Sequence, residues 1–184
     1  MGTLPTHLAL DRPELLAGPV LGALRGWEAS DPPAELAAGA VRVAEIDPDL
    51  ADTAAFCAAY DVPLDLSANC VIVAGRRGGE TRYAAAMVLA TTRADVNGVV
   101  RRQLDVRKAS FAPMDQAVAE TGMEYGGITP LGLPDGWPVL VDARVARADF
   151  VVVGSGLRRS KLLLPGATLA ALPQAVVLED LARS

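Results

Sequence analysis

The segment Gly122-Met123-Glu124-Tyr125-Gly126-Gly127-Ile128-Thr129-Pro130-Leu131-Gly132 sets four glycines and one proline within eleven residues. Glycine reaches positive φ and lets a ligand or another backbone approach closely. Pro130 fixes its own φ and drives Thr129 toward extended geometry. Residues of these types at this spacing can hold a rigid concave turn. Such a turn could aim the N–H groups of Gly126, Gly127 and Ile128 at a carbonyl oxygen or a developing oxyanion. The plainer alternative is a structural turn between two strands.

Other chemistries find few groups to work with. His7 is the sole histidine, which removes histidine-based triads and multi-histidine metal sites. Cys57 and Cys70 stand 13 apart with no C-x-x-C, so neither a zinc site nor a disulfide framework is indicated, and a reducing cytoplasm is the expected compartment. Gly154-Ser155-Gly156 falls short of the G-x-G-x-x-G that opens a dinucleotide-binding helix, and it reads instead as a second shaped turn beside the first. No cofactor and no metal are expected. The sequence shows no secretory signal and no apolar run of membrane-spanning length, so no membrane partner is expected. Met1-Gly2-Thr3-Leu4-Pro5-Thr6 meets the bare acylation pattern, but nothing polybasic follows it.

Charge narrows the class of partner. A net charge of −5 argues against a general nucleic-acid binder, and no DNA partner is expected. The distribution is uneven. Residues 1–75 carry three basic side chains against eleven acidic ones, whereas the remainder carries fourteen against eleven. Eight of those fourteen, Arg101, Arg102 and Lys108 among them, fall between Arg76 and Lys108, and Arg158, Arg159 and Lys161 follow later. These residues are either a local patch that grips the end of a nucleic acid or ordinary solvated arginines.

The elements that must position these groups can be read from periodicity and punctuation. With 51% hydrophobic and only 4% aromatic residues, one domain can fold around a core of Ala, Val and Leu. Residues 13–17 and 34–38 read as short helical pieces, separated by Gly18-Pro19 and Asp31-Pro32-Pro33. Val41 to Ile46 alternates as a half-buried strand, and Asp49 or Asp52 can cap a helix ending at Tyr60. Cys70 to Ala74 is a central strand, joined through a polar turn at residues 76–80 to a second strand from Arg82 to Ala90. Val96, Val99, Val100 and Leu104 recur at helical spacing behind Asp95, which leaves Arg101 and Arg102 off the buried stripe. Residues 107–112 form a short strand, with Lys108 pointing into a cleft or into water. Pro113 opens a helix that stops at Gly122. Later strands are expected at 139–141, 150–153 and 176–178, with a short helix at 169–172.

Gly126-x-x-x-Pro130 followed by Leu131-Gly132 is similar to the G-x-x-x-P-[LIF]-G loop of the YbaK/EbsC family, the editing domains associated with prolyl-tRNA synthetase. The ordered context agrees: Arg107 to Ala112 and a helix precede the loop, and Pro138 to Asp142, Val151 to Gly156 and Leu162 to Pro165 follow it. The resemblance covers about residues 47 to 180. It implies an α+β fold on a mixed, largely antiparallel β-sheet partly closed into a barrel with flanking helices, spanning residues 47–184, with residues 1–46 as an extension packed upon it. It also implies a free-standing deacylase of mischarged aminoacyl-tRNA. On that reading the Gly126 and Gly127 N–H groups hold the ester carbonyl or position water, and Thr129, Pro130, Ser155, Gly156, Arg101, Arg102 and Arg158 bind the acceptor end. An aminoacyl-tRNA synthetase is a further possible partner.

One departure stands out. Deacylating members have a lysine, in a K-T-L pattern, at the start of the strand here formed by Cys70 to Ala74, and its ammonium anchors the aminoacyl-tRNA end. The matching residue is Asn69, which can hydrogen-bond but carries no charge. Lys108, from a neighbouring segment, could substitute. The alternative function is a catalytically silent module that binds aminoacyl-tRNA, an amino acid or a protein partner.

Overall fold

The continuous apolar run at residues 70–74 belongs to a strand buried on both faces, as its composition requires. In the computed structural model, which describes residues 4–30 and 34–183, this strand is β3 (Ala68–Arg77), paired antiparallel with β4 (Glu80–Leu89) along all ten residues. Only Gly78 and Gly79 separate them, both at positive φ, the geometry that matches a tight hairpin turn to strand twist. The break expected at 31–33 and the first three residues of the acylation pattern lie outside the described residues.

Around this hairpin a five-stranded sheet forms in the order β10-β7-β4-β3-β6, with β6 at Ala109–Phe111, β7 at Val139–Asp142 and β10 at Ala175–Leu178. The β3 pairings are antiparallel, whereas β7 runs parallel to both β4 and β10. An antiparallel four-stranded sheet, order β1-β2-β9-β8, is built from His7–Leu8, Arg42–Glu45, Ser160–Leu164 and Val151–Gly154. Two short strands, β5 (Arg93–Ala94) and β11 (Ala182–Arg183), pair separately. None of these sheets closes into a barrel, contrary to the expectation from the sequence. The two large sheets instead share one isolated backbone bridge, between Ser67 and Val152 among the described residues, and a cleft lies beside it.

The longest helix was not expected at all. α1 spans Gly18–Ala29 and buries Val20 and Leu24 in the main core. Gly18-Pro19 reads as a break, yet proline at the first helical turn sacrifices no hydrogen bond and here starts the helix. α2 (Thr53–Tyr60) follows the sequence reading, with Asp52 accepting from the N–H groups of Ala54 and Ala55 at 3.0 and 3.3 Å. Behind Asp95 the chain winds as a wide π-turn over Val96–Val100 before α3 (Arg101–Gln103). α4 occupies Met114–Thr121 and ends at Gly122 in the left-handed conformation.

Three apolar clusters hold the layers. The largest joins Ile72, Met87 and Val141 of the five-stranded sheet to Val151, Val153, Leu162 and Leu164 of the four-stranded sheet. A second packs Val99, Val100 and Leu104 against Val73, Ala84 and Ala86 on the other face of the five-stranded sheet. A third sets Phe56 and Cys57 of α2 against Val152 and Leu163. The remaining helices, α5 (Ala143–Ala146) and α6 (Gly166–Ala170), bring Val145 and Leu169 to the largest cluster.

A buried carboxylate ties the chain end to this frame. Asp142, 1% exposed, accepts from Arg144 Nε at 2.8 Å and from the N–H of Ala182 at 3.1 Å. Burial alone would raise its pKa, but the Arg144 guanidinium and the backbone donors outweigh it and hold the carboxyl below the ordinary carboxylate value. A depressed carboxyl contributes stability that is complete above its unfolded value and lost as pH falls through its folded value. Asp142→Asn should therefore lower the unfolding free energy by about 2 kcal/mol at pH 7. The gap from wild type should close as the solution is taken below about pH 4. Urea unfolding of both proteins across that range checks it.

Candidate functional site

Beside the bridge between the two sheets lies a cavity of about 470 Å³, within the range of small-ligand sites. One wall is the start of β3, with Ala68, Asn69, Cys70 and Ile72. A second is the entry to α2, with Ala51, Asp52, Thr53 and Phe56. Gly126 and Ile128 form a third, and Gly154, Arg158 and Lys161 complete the lining. Phe111, Met114 and Tyr125 line it too and are more than half exposed, so they stand at its mouth.

The glycine loop reaches this position because backbone packs on backbone. Gly156 donates its N–H to Gly127 O at 2.7 Å, and Glu124 donates to Gly156 O at 2.8 Å. A Cβ on Gly127 would stand 2.6 Å from Leu157 O, and a Cβ on Gly154 would press on the carbonyl oxygens of Gly127 and Ile128. Gly126 sits at φ +84°, beside the Arg158 guanidinium. The Gly127 N–H is engaged by Glu124 O at 2.9 Å within the turn. Those of Gly126 and Ile128 meet no acceptor among the described residues.

Polar groups gather at the α2 end. Thr53 Oγ1 donates to Asn69 Oδ1 at 2.7 Å. Two residues earlier on the same segment, Ala51 O accepts from Lys161 Nζ at 2.9 Å. Lys161, 7% exposed, also stands 5.5 Å from the centre of the Phe56 ring, within cation–π range. Burial lowers its pKa below the ordinary lysine value; Arg158 adds to the shift, and Cys57 and Asp52 oppose it. Burial pushes the thiol of Cys70, half-buried in the cavity wall, up to about 12, which disfavours a thiolate nucleophile there.

The residues singled out from the sequence divide. Gly126, Asn69 and Arg158 line the cavity. Arg158 is braced, its guanidinium donating to Tyr125 O and Pro48 O at 3.2 and 3.0 Å. Thr129 and Pro130 are buried behind the loop. Ser155 is fully buried, its hydroxyl 2.7 Å from that of Ser160, and Gly156 packs on Ala17, so both shape the turn from behind. Arg101 and Arg102 occupy the helical turn that covers the opposite face of the five-stranded sheet. Lys108 is exposed and lies off the cavity. Lys161 is the group that sequence reading passed over, by counting it with the neighbouring arginines. Its signal in the sequence is slight, one lysine at the head of the apolar run Leu162-Leu163-Leu164.

The chain belongs to the aminoacyl-tRNA editing domain family, whose model matches residues 47–172, more than half of its length. Among solved structures it is similar to a candidate trans-editing enzyme for prolyl tRNA synthetase, at 20% identity and a TM-score of 0.71, covering 90% of this chain and 96% of the other. A scaffold protein used for epitope grafting gives 21% identity and a TM-score of 0.72, over 91% and 97% of the two chains. A hypothetical protein gives 19% and 0.67, over 78% and 91%. At these identities the likeness concerns the fold. No curated protein matches the sequence.

The packing of loop on turn yields an ordering of two variants. Gly126→Ala places a side chain at positive φ against the end of the Arg158 side chain, which can shift more readily than backbone, and should lower stability by about 1–2 kcal/mol. Gly154→Ala drives a methyl group into two backbone carbonyls and should lower it by about 3 kcal/mol, unseating the loop. Chemical unfolding of the two proteins side by side checks the order.

Proposed function

We propose that the protein is a free-standing aminoacyl-tRNA deacylase that hydrolyses the ester of a mischarged tRNA carrying a small amino acid. The observation that carries this reading is the cavity itself. Its lining takes in Gly126 and Ile128, whose N–H groups meet no acceptor among the described residues, and the Asn69–Thr53 pair, all inside the segment matched by the editing-domain family. Water adds to the acyl carbon and the bond to the ribose oxygen breaks. The proton released by water ends on that oxygen, leaving a free amino acid and a tRNA with its terminal hydroxyl restored. The loop N–H groups stabilise the oxyanion of the intermediate. With a thiolate disfavoured and no histidine in the cavity, the neighbouring ribose hydroxyl is the group best placed to assist the attacking water, as the family resemblance implies. The partners are the acceptor end of aminoacyl-tRNA and, for delivery, an aminoacyl-tRNA synthetase, in the cytoplasm.

A second reading follows from Asn69. A neutral amide stands where deacylating relatives are expected to carry an ammonium, which suits a module that binds an aminoacyl end without cleaving it. Purified protein incubated with a panel of mischarged tRNAs separates the two. The deacylase reading expects release of at least one small amino acid at ten or more times the buffer rate, whereas retention of every ester alongside measurable tRNA binding supports the module.

A further inference from the structure

Lys161 projects from β9, nine-tenths buried, into the cavity wall. A buried ammonium is costly unless paired, and no carboxylate lies within 4 Å of it among the described residues. Its one hydrogen bond is to Ala51 O, which leaves two of its three N–H donors without an acceptor there. The Asp52 carboxylate favours the ammonium through space but makes no hydrogen bond or ion pair with it, its Oδ1 being taken up in capping α2. An underused cation at the inner wall of a cavity is suited to a ligand oxygen that arrives with the substrate.

Its place in the cavity is telling. Asn69 is held by Thr53 and Lys161 by Ala51, two residues apart on one segment, so the ammonium stands in the corner that the resemblance assigns to a lysine of β3. Across the strand pair Lys161 faces Gly154, whose backbone carries the glycine loop. Resting on the proposed deacylase reading, we infer that Lys161 is the substrate-anchoring cation of this protein, moved from β3 to β9, and that its Nζ donates to an oxygen of the acyl group. The phosphates and the terminal base remain outside, near the mouth lined by Phe111 and Tyr125.

The test compares wild type, Lys161→Met and the exchange variant Asn69→Lys/Lys161→Met. It measures hydrolysis of alanyl- and seryl-tRNA and binding of the corresponding 3′-amide analogues of aminoacyl-adenosine, which cannot be hydrolysed as esters. Lys161→Met should melt no lower than wild type, because it removes a buried charge. It should bind the analogues at least tenfold more weakly and lose about a hundredfold in kcat/KM, the scale of a lost oxyanion donor. The exchange variant should recover a substantial part of both. Equal losses on alanyl and seryl compounds place the carbonyl oxygen at Nζ, and a loss confined to seryl compounds places the side-chain hydroxyl there. A folded Lys161→Met that binds and hydrolyses as wild type does overturns the inference and leaves the deacylase reading standing. Wild-type protein that binds the analogues through Lys161 but releases no amino acid overturns the deacylase reading alone. Absence of both binding and hydrolysis in wild type overturns the two together.

Discussion

The contact on which the site depends is the seating of the Gly126–Ile128 backbone upon the Gly154–Gly156 turn. Side chains cannot intervene there, since a Cβ at Gly127 or Gly154 would meet main-chain atoms of the opposite segment. The loop is therefore held at a fixed height over the four-stranded sheet, by hydrogen bonds that run in both directions between Glu124, Gly127 and Gly156. Fixed donors need not reorganise when charge develops in front of them, which is where electrostatic stabilisation gains its strength. The buried Ser155 and Ser160 hydroxyls continue the brace outward to Leu15 O, so the segment ahead of residue 47 supports the turn from behind.

The polar corner of the cavity shows the opposite balance. Burial of the Lys161 ammonium is costly, and among the described residues one carbonyl, that of Ala51 ahead of α2, accepts from it and the Phe56 ring stands within cation–π range. Stability is held elsewhere, in the three apolar clusters and in the Asp142 tie. On the proposed reading, Lys161 keeps N–H donors at the cavity wall whose remaining contacts arise when a ligand enters.

Much of this was legible in the residues. The long hairpin, the α2 cap at Asp52, the stop at Gly122 and the special geometry of Gly126 each follow from local rules, because one or two residues dictate the backbone there. What depends on distant packing was not legible. Gly18-Pro19 can end a helix or begin one, and only burial of Val20 and Leu24 decides. The open cleft in place of a partial barrel depends on where β8 meets β3, a contact between residues 67 and 152 that no local pattern encodes. Arg101 and Arg102 read from the sequence as lying off the buried stripe, toward solvent or a phosphate, and the π-turn that precedes them packs on the other face of the five-stranded sheet. Lys161 was hidden for the same reason, since its worth lies in burial and not in its neighbours in sequence.

The central claim is that the cavity between the two sheets receives the acyl end of the substrate. Amide chemical-shift mapping by NMR with an alanyl 3′-amide analogue of aminoacyl-adenosine tests it most directly. Saturable shifts are expected at Asn69, Gly126, Ile128 and Gly154, with the amides of residues 96–103 on the far face unmoved. Shifts centred on residues 96–103, with the cavity amides silent, would contradict it.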